Sequence, residues 1–256
     1  MSEISSPSSA SSVSPRQVQR VRHELRRRAL QVARVETVSP HFRRVTFSGD
    51  SLEGFVSASF DDHVKVLLDS GGAAPIGRDY TPLHFDAAKR ELVIEFALHG
   101  DGPAANWAAQ VAPGQQLTIG GPRGSFIVPL DYDWHLLVGD ESALPAITRR
   151  LEELPASTRA IVRVHVADPA DKRVLRSAAA LDVQWLATSE ALIAAVRALK
   201  LPQGEGYAWC AGEAATTAQL RHMLVSDKGH KRHAIRAAAY WKRGAIAHHE
   251  NLEGPQ

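Results

Sequence analysis

Short runs in which polar and apolar residues alternate fill the first half of the chain, and longer continuous apolar blocks fill the second. Residues 30–35 and 42–47 alternate in part, and Gly49-Asp50 closes the second run. Successive side chains of a strand point to opposite faces, so in residues 63–68 Val64, Val66 and Leu68 share one face and Lys65 lies on the other. Residues 92–98 place Leu92, Ile94, Phe96 and Leu98 inward, and residues 117–119 follow a Pro113-Gly114 turn. A short helix is predicted over 104–110. Several short strands at this spacing predict a closed antiparallel β barrel.

The pattern changes after Pro129. Residues 135–139 form a continuous apolar run, as expected of a strand covered on both faces. A helix follows, with Leu144, Ile147, Leu151 and Leu154 on one side and Pro145 in its first turn, where a missing N–H costs little. Strands are predicted over 160–167, 183–187 and 207–211. A helix over 189–200 carries Leu192, Ile193, Val196 and Leu199 at helical spacing, and Gly212-Glu213 opens another. Alternating strand and helix predicts a parallel sheet with crossover connections. The expected organisation is a disordered segment over 1–24, a barrel domain over 25–131 and an α/β domain over 132–256, with no internal repeat.

Composition narrows the class. The 256 residues suffice for two cores, and 44% hydrophobic with 23% charged residues is a globular composition. A formal charge of +2 is too small to point to nucleic acid or to a membrane surface. No apolar run approaches the roughly 18 residues of a membrane span. The Ser-rich start lacks the apolar core of a secretory signal, and Glu3, Glu24 and poor amphipathicity argue against a transit peptide. The basic run 23–28 reads as a solvated lead-in. Cys210 is the single cysteine, which excludes an intrachain disulfide and fits a reducing, cytoplasmic location. It reads as a buried thiol, and Trp107, Trp185 and Trp209 read as core aromatics. The twelve histidines are scattered without H-E-x-x-H, so no resident metal is expected, and no G-x-S-x-G supports a serine hydrolase.

Four segments carry candidate chemistry. In Arg78-Asp79-Tyr80-Thr81 the guanidinium suits a phosphate, the ring two residues on suits packing against a flat heteroaromatic such as a flavin, and Thr81 offers a hydroxyl to a flavin's polar edge. In the stretch from His99 through Asp101, Gly102, Pro103 and Ala104 to Trp107, glycines precede a helix start, and free N–H groups there attract an anion such as a pyrophosphate. Gly121-Pro122-Arg123-Gly124 is either a turn with a solvated charge or a ligand contact. Asp140-Glu141-Ser142 follows a buried strand where a nucleotide would lie across a parallel sheet's carboxyl edge, although the G-x-G-x-x-G spacing is missing.

These segments, with Asp62-His63-Val64-Lys65, Trp209-Cys210-Ala211-Gly212-Glu213 and Tyr240-Trp241-Lys242-Arg243-Gly244, occur in an order that resembles the siderophore-interacting protein family over about residues 28–248. The resemblance implies a ferredoxin-reductase-like architecture: an FAD-binding barrel followed by a pyridine-nucleotide-binding α/β domain. It implies a reductase that moves electrons from NAD(P)H through FAD to a ferric siderophore. Arg78, Tyr80, Thr81 and the segment from His99 to Trp107 would then hold FAD, and Asp140, Glu141, Ser142, Gly212 and Glu213 the nucleotide. Lys172-Arg173 would favour the 2′-phosphate of NADPH, whereas Asp168 would favour a free ribose hydroxyl. Lys65, Arg123, Lys242 and Arg243 would meet an anionic iron chelate. The chain departs from the family in having Leu83 and His84 where an Arg often follows the Tyr-Thr pair, so one phosphate or flavin contact is either missing or replaced by His84; Ala239 replaces a Gly. No side chain is expected to act as acid or base. The alternatives are a reductase of the same architecture serving a protein such as ferredoxin, and a non-catalytic siderophore-binding protein.

Overall fold

The computed structural model describes residues 16–69, 71–72, 74–98, 102–245 and 250–252. The first half is strand-rich: β1 (Gln19–Arg22), β2 (Arg27–Ser39), β3 (Phe42–Ser48), β4 (Val64–Leu68), β5 (Ile76–Tyr80), β6 (Pro82–Asp86), β7 (Glu91–Ala97), helix α1 (Pro103–Gln110), β8 (Gln116–Gly120) and β9 (Gly124–Ile127). Seven of these strands form one antiparallel sheet in the order β5-β4-β8-β2-β3-β7-β6. The alternation does its work as expected: Leu30, Val32, Val45, Phe47, Val64, Val66, Leu92 and Ile94 are buried together on its inner face. Lys65 stands on the opposite face of β4 from Val64 and Val66.

The predicted closure is corrected. Strands β5 and β6 are the two edges of the ladder and do not pair with each other. They are successive stretches of one chain, joined at Thr81, so they run in the same sense and cannot form a hairpin. Val64 pairs with Tyr80 on one side of Thr81, and Pro82 pairs with Ile94 on the other. Chain continuity, rather than a ladder, closes the barrel at this seam.

The N-terminal expectation is also corrected. Residues 1–15 lie outside the described residues, but β1 pairs antiparallel with β9, Val21 opposite Ser125. Its four side chains are all exposed, so hydrophobic patterning could not reveal it. Backbone pairing, the His23 N–H donated to the Arg123 carbonyl (2.9 Å) and ion pairs from Arg16 to Asp131, Asp133 and Glu205 hold the segment in place.

The second half alternates strand and helix: β10 (Trp134–Asp140), α2 (Leu144–Glu153), β11 (Arg159–His165), β12 (Ala180–Leu186), α3 (Ser189–Ala198), β13 (Gly206–Glu213), α4 (Ala214–His222), β14 (Ile235–Trp241) and β15 (Glu250–Asn251). The sheet order is β12-β11-β10-β13-β14-β15, parallel except for β15. Every residue of the continuous apolar strand β10 is buried. Helix α3 starts where Thr188 accepts the Ala191 N–H (3.1 Å), a side-chain cap for an otherwise unpaired donor. The strand order reverses between β10 and β13, which makes their carboxyl ends the switch point of the sheet.

The two sheets share a core. Phe42 and Phe60 are buried with Leu137, Leu144 and Trp209. Polar ties add to this: Arg149 of α2 donates to Ser57 Oγ (2.8 Å) and to the Pro82 carbonyl (2.9 Å). Arg236 of β14 pairs with Asp61. Cys210 is fully buried, and burial pushes its thiol up to about 12, so it is inert core.

His135 of β10 is fully buried, and neither ring nitrogen has a hydrogen-bond partner among the described residues. Burial, with Arg150 and Arg16 nearby, lowers its pKa to about 3. The folded protein therefore keeps it neutral while the unfolded chain takes up a proton below about pH 6.5. Stability contributed by the neutral ring is complete above that pH and is lost as pH falls from about 6.5 toward 3. Between pH 7.0 and 5.5 this one group is expected to remove about 1 kcal/mol. Urea unfolding at the two pH values should show a smaller difference in His135→Leu than in the parent, with His230, also lowered by burial, supplying part of what remains.

Candidate functional site

A cleft of about 1690 Å³ runs between the barrel seam and the switch point of the parallel sheet. Its barrel wall carries Lys65, Arg78, Tyr80, Thr81 and Arg123, with Gly102, Pro103 and Ala104 at the start of α1. Glu141, Ser142, Tyr240 and Trp241 come from the second domain. The arrangement thus brings together residues that the sequence placed in separate motifs.

Edge strand β5 explains how three of these reach one wall. Tyr80 lies against Phe96, ring centroids 4.4 Å apart, which fixes the phenol at the seam. Burial pushes its pKa up to about 12, opposed by the Arg78 charge, so it is a neutral hydrogen-bond donor at physiological pH. Arg78 gives one N–H to the Gly77 carbonyl (2.9 Å) and has no carboxylate partner among the described residues, so most of its fork faces the cleft unneutralised. Thr81 is buried, and its side chain is hydrogen-bonded to Tyr240, linking the seam to β14 of the second domain.

At α1, Gly102 is the residue before the helix and Pro103 takes the first turn. Among the described residues no side chain caps this helix start, and nothing lies within 4 Å of where a Gly102 side chain would begin. An uncapped helix start facing a cleft whose wall also carries Arg78 fits the phosphates of a dinucleotide. The residues present therefore suit FAD: Arg78 and the α1 amides for its phosphates, and Tyr80 and Thr81 for its ring system. His99 and Asp101 lie outside the described residues.

Lys65 reaches the cleft but pairs with Asp79 directly opposite it (2.8 Å), so part of its charge is spent within the protein. Arg123 is exposed on the cleft wall. Two further residues, His63 and Arg27, line the same wall outside the motifs that carry the candidate chemistry. His63 was detectable, since it stands two residues before Lys65 and so shares its face. Arg27 belongs by local pattern to a solvated basic run. Glu95, also on the wall, is missed by local pattern because it reads as one polar position in an alternating strand.

Several expected contacts are corrected. His84 points away from the cleft toward α2, its Nε2 3.6 Å from Glu152, so it does not stand in for the missing Arg. Trp107 packs in the barrel core, stacked on Phe47 at 6.2 Å and 12°. Arg173 turns toward the barrel, where it pairs with Glu95 (2.6 Å) above the Phe42 ring, and is not free for a 2′-phosphate. Lys172 is exposed. Lys242 and Arg243 sit on the exposed turn between Trp241 and Ala245; both neighbours line the cleft, but these two cations do not.

Asp140 is buried and committed internally. One carboxylate oxygen accepts from the Ser142 N–H (2.9 Å) and hydroxyl (2.5 Å). The other accepts from the Glu213 N–H (2.8 Å) and the Trp241 indole N–H (2.9 Å). It thereby stitches the ends of β10, β13 and β14. Gly212 is required here because a side chain at its position would occupy the Asp140 carboxylate, and its φ of 141° disfavours other residues. Glu213 caps α4 by accepting the Thr216 N–H (2.9 Å). Of this group, Glu141 and Ser142 are the ones on the cleft wall. Among the described residues, no cluster of three or more His, Cys, Asp or Glu side chains is disposed to hold a metal.

Known proteins place this geometry. A family described as siderophore-interacting FAD-binding domain matches residues 31–75 and 69–126, and one described as siderophore-interacting protein matches residues 132–244. An NADPH-dependent ferric-chelate reductase of Escherichia coli is 38% identical, over 89% of this chain and 97% of its own length. A ferric vibriobactin reductase of Vibrio cholerae is 32% identical, over 87% of this chain and 93% of its own. The crystal structure of a siderophore utilization protein from T. fusca superposes with a TM-score of 0.82 at 31% identity, covering 90% of this chain and 97% of that one. A flavin-type barrel joined to a parallel nucleotide sheet, with these matches over both halves, means that the chain belongs to the siderophore-interacting protein family.

Proposed function

We propose that the protein is an FAD-dependent NADPH:ferric-siderophore oxidoreductase that acts in the cytoplasm. The observation that carries this reading is a single cleft in which the flavin-binding residues of the seam stand beside Lys65 and Arg123 and face the switch point of the parallel sheet. Bound FAD supplies the chemistry that no side chain offers, accepting a hydride from the nucleotide and giving up electrons singly. The two electrons of one hydride reduce two ferric complexes in turn, and oxygen-rich chelators hold Fe(II) far more weakly than Fe(III).

The roles of the side chains follow from their positions. Arg78 and the backbone N–H groups of Gly102, Ala104 and Ala105 hold phosphates, Tyr80 packs against the ring system, and Thr81 hydrogen-bonds its edge while tied to Tyr240. Glu141 and Ser142 receive the nucleotide at the carboxyl end of β10. With Arg173 engaged by Glu95, Lys172 is the cation of that pair left for a 2′-phosphate. Arg123, Arg27 and Lys65 form the basic wall for an anionic chelate, with Asp79 moderating Lys65. NADPH as donor is supported by the E. coli relative's name rather than by Arg173.

The test is anaerobic. Purified protein loaded with FAD should bleach on addition of NADPH, then recover its colour as a ferric siderophore is added and Fe(II) is trapped. Protein that stays colourless with FAD, or that bleaches and then passes electrons to ferredoxin but not to the chelate, overturns the reading. In the double variant Lys65→Ala/Arg123→Ala, stopped-flow measurement should show kcat/KM for an anionic ferric siderophore reduced by about 10- to 100-fold, the scale of one charge-assisted hydrogen bond, because both cations are solvated and Lys65 is already paired with Asp79. Bleaching by NADPH should be unchanged.

A further inference from the structure

A second cavity, of about 320 Å³, opens beside the segment that leads into β2. Alternate residues of that segment divide between the two spaces. Leu25 and Arg27 line the main cleft, whereas Glu24, Arg26 and Arg28 line the smaller cavity together with Arg22 and His23. Residues 24–27 are exposed, as expected of a solvated lead-in, but Arg28 at the end of the run is buried.

Arg28 is the unusual member. It occupies the same face of β2 as Leu30 and Val32, and is only 5% exposed. Its guanidinium makes one long hydrogen bond, to the Gly54 carbonyl at 3.4 Å, and lies over the Phe55 ring at 5.4 Å. Its Nε has no hydrogen-bond partner, and no carboxylate pairs with it among the described residues. Among the described residues Glu24 is the one acid on the cavity wall; it pairs with Arg26 at 2.6 Å and reaches Arg28 only through space, without a hydrogen bond. Arg22 is exposed at the rim, and the His23 ring is engaged with Ser125 Oγ at 2.8 Å. A buried guanidinium with no carboxylate in contact is destabilising unless an anion completes it. Its planar fork of donors suits an oxyanion in particular.

We propose that this cavity is an oxyanion site for a phosphate group, with Arg28 as the buried anchor and Arg22 and Arg26 at the rim. The phosphate is either free or carried by a small metabolite. An occupant would fix the segment whose other side forms part of the main cleft wall, through Leu25 and Arg27.

The experiment uses FAD-loaded protein, so that the phosphate-binding part of the main cleft is filled. Inorganic phosphate and glycerol 3-phosphate are titrated against sodium chloride of matched ionic strength, with heat of binding and thermal unfolding as readouts. Saturable one-to-one binding is expected, with Tm rising by about 3 °C at ten times Kd. Arg28→Met should abolish the response while leaving the anion-free protein as stable as the parent or more so, because the buried charge is gone. Arg22→Ala, at an exposed position, should weaken phosphate binding about tenfold without altering anion-free stability. Tighter binding of glycerol 3-phosphate supports the site and assigns it to a metabolite; equal binding supports it and assigns free phosphate. A response no larger than that to chloride overturns the proposal, leaving Arg28 as a stacking partner of Phe55. An equal response in the parent and both variants overturns it too, by placing the phosphate elsewhere. Neither outcome bears on the reductase reading, which the bleaching experiment tests separately.

Discussion

Glu95→Ala is expected to destabilise the protein by about 3–5 kcal/mol, the cost of leaving buried charge uncompensated. The Glu95 side chain is fully buried and receives Arg44 from the neighbouring strand β3 (2.6 Å and 3.0 Å) and Arg173 from the second domain (2.6 Å). Removing the carboxylate leaves two guanidinium groups facing each other, one of them only 13% exposed and seated over Phe42. Glu95→Gln should lose most of the same stability, since it keeps the shape and forfeits the charge. Arg173→Met should cost less, because Glu95 retains Arg44. Urea unfolding of the three variants measures this directly. A loss below about 1 kcal/mol for Glu95→Ala would mean that the cluster behaves as a solvated surface pair.

The second large effect concerns the cofactor. Arg78→Ala should weaken FAD binding by about 10- to 100-fold, the range of a lost hydrogen bond to a charged group. Arg78→Lys should recover part of it, because a lysine restores the charge but not the two-pronged geometry. His84→Ala should leave FAD affinity unchanged, since that ring faces Glu152 rather than the cleft. Titration of the apoprotein with FAD, followed by flavin fluorescence, separates the cases. A loss in His84→Ala equal to that in Arg78→Ala would overturn the assignment of the cleft wall.

The fold was legible wherever burial follows a local period. The parity of Val64, Val66 and Leu68 put Lys65 on the cleft side, and the unbroken run at β10 marked the central strand of a parallel sheet. What escaped depends on partners far along the chain. The four residues of β1 carry no apolar signal and are held by a ladder to β9, about a hundred positions away. Arg173 reads as a free cation until Glu95 is brought to it across the domain boundary. Asp140 reads as a ligand contact in a strand-to-helix turn, yet its oxygens are consumed by Ser142, Glu213 and Trp241. Arg28 looked solvated because its neighbours are charged, although its parity with Leu30 and Val32 pointed inward. Periodicity locates faces; it does not tell which charges have already found each other.

The seam at Thr81 has a thermodynamic consequence. Because the ladder ends at β5 on one side and β6 on the other, both strands present a row of backbone groups with no neighbouring strand to satisfy them. A ligand laid along β5 acts as a missing stave of the barrel, and each increment of its affinity is added to the resistance of the whole sheet to opening. FAD bound along β5, as proposed above, would then stabilise the sheet at its open seam, and the apoprotein would lack that support.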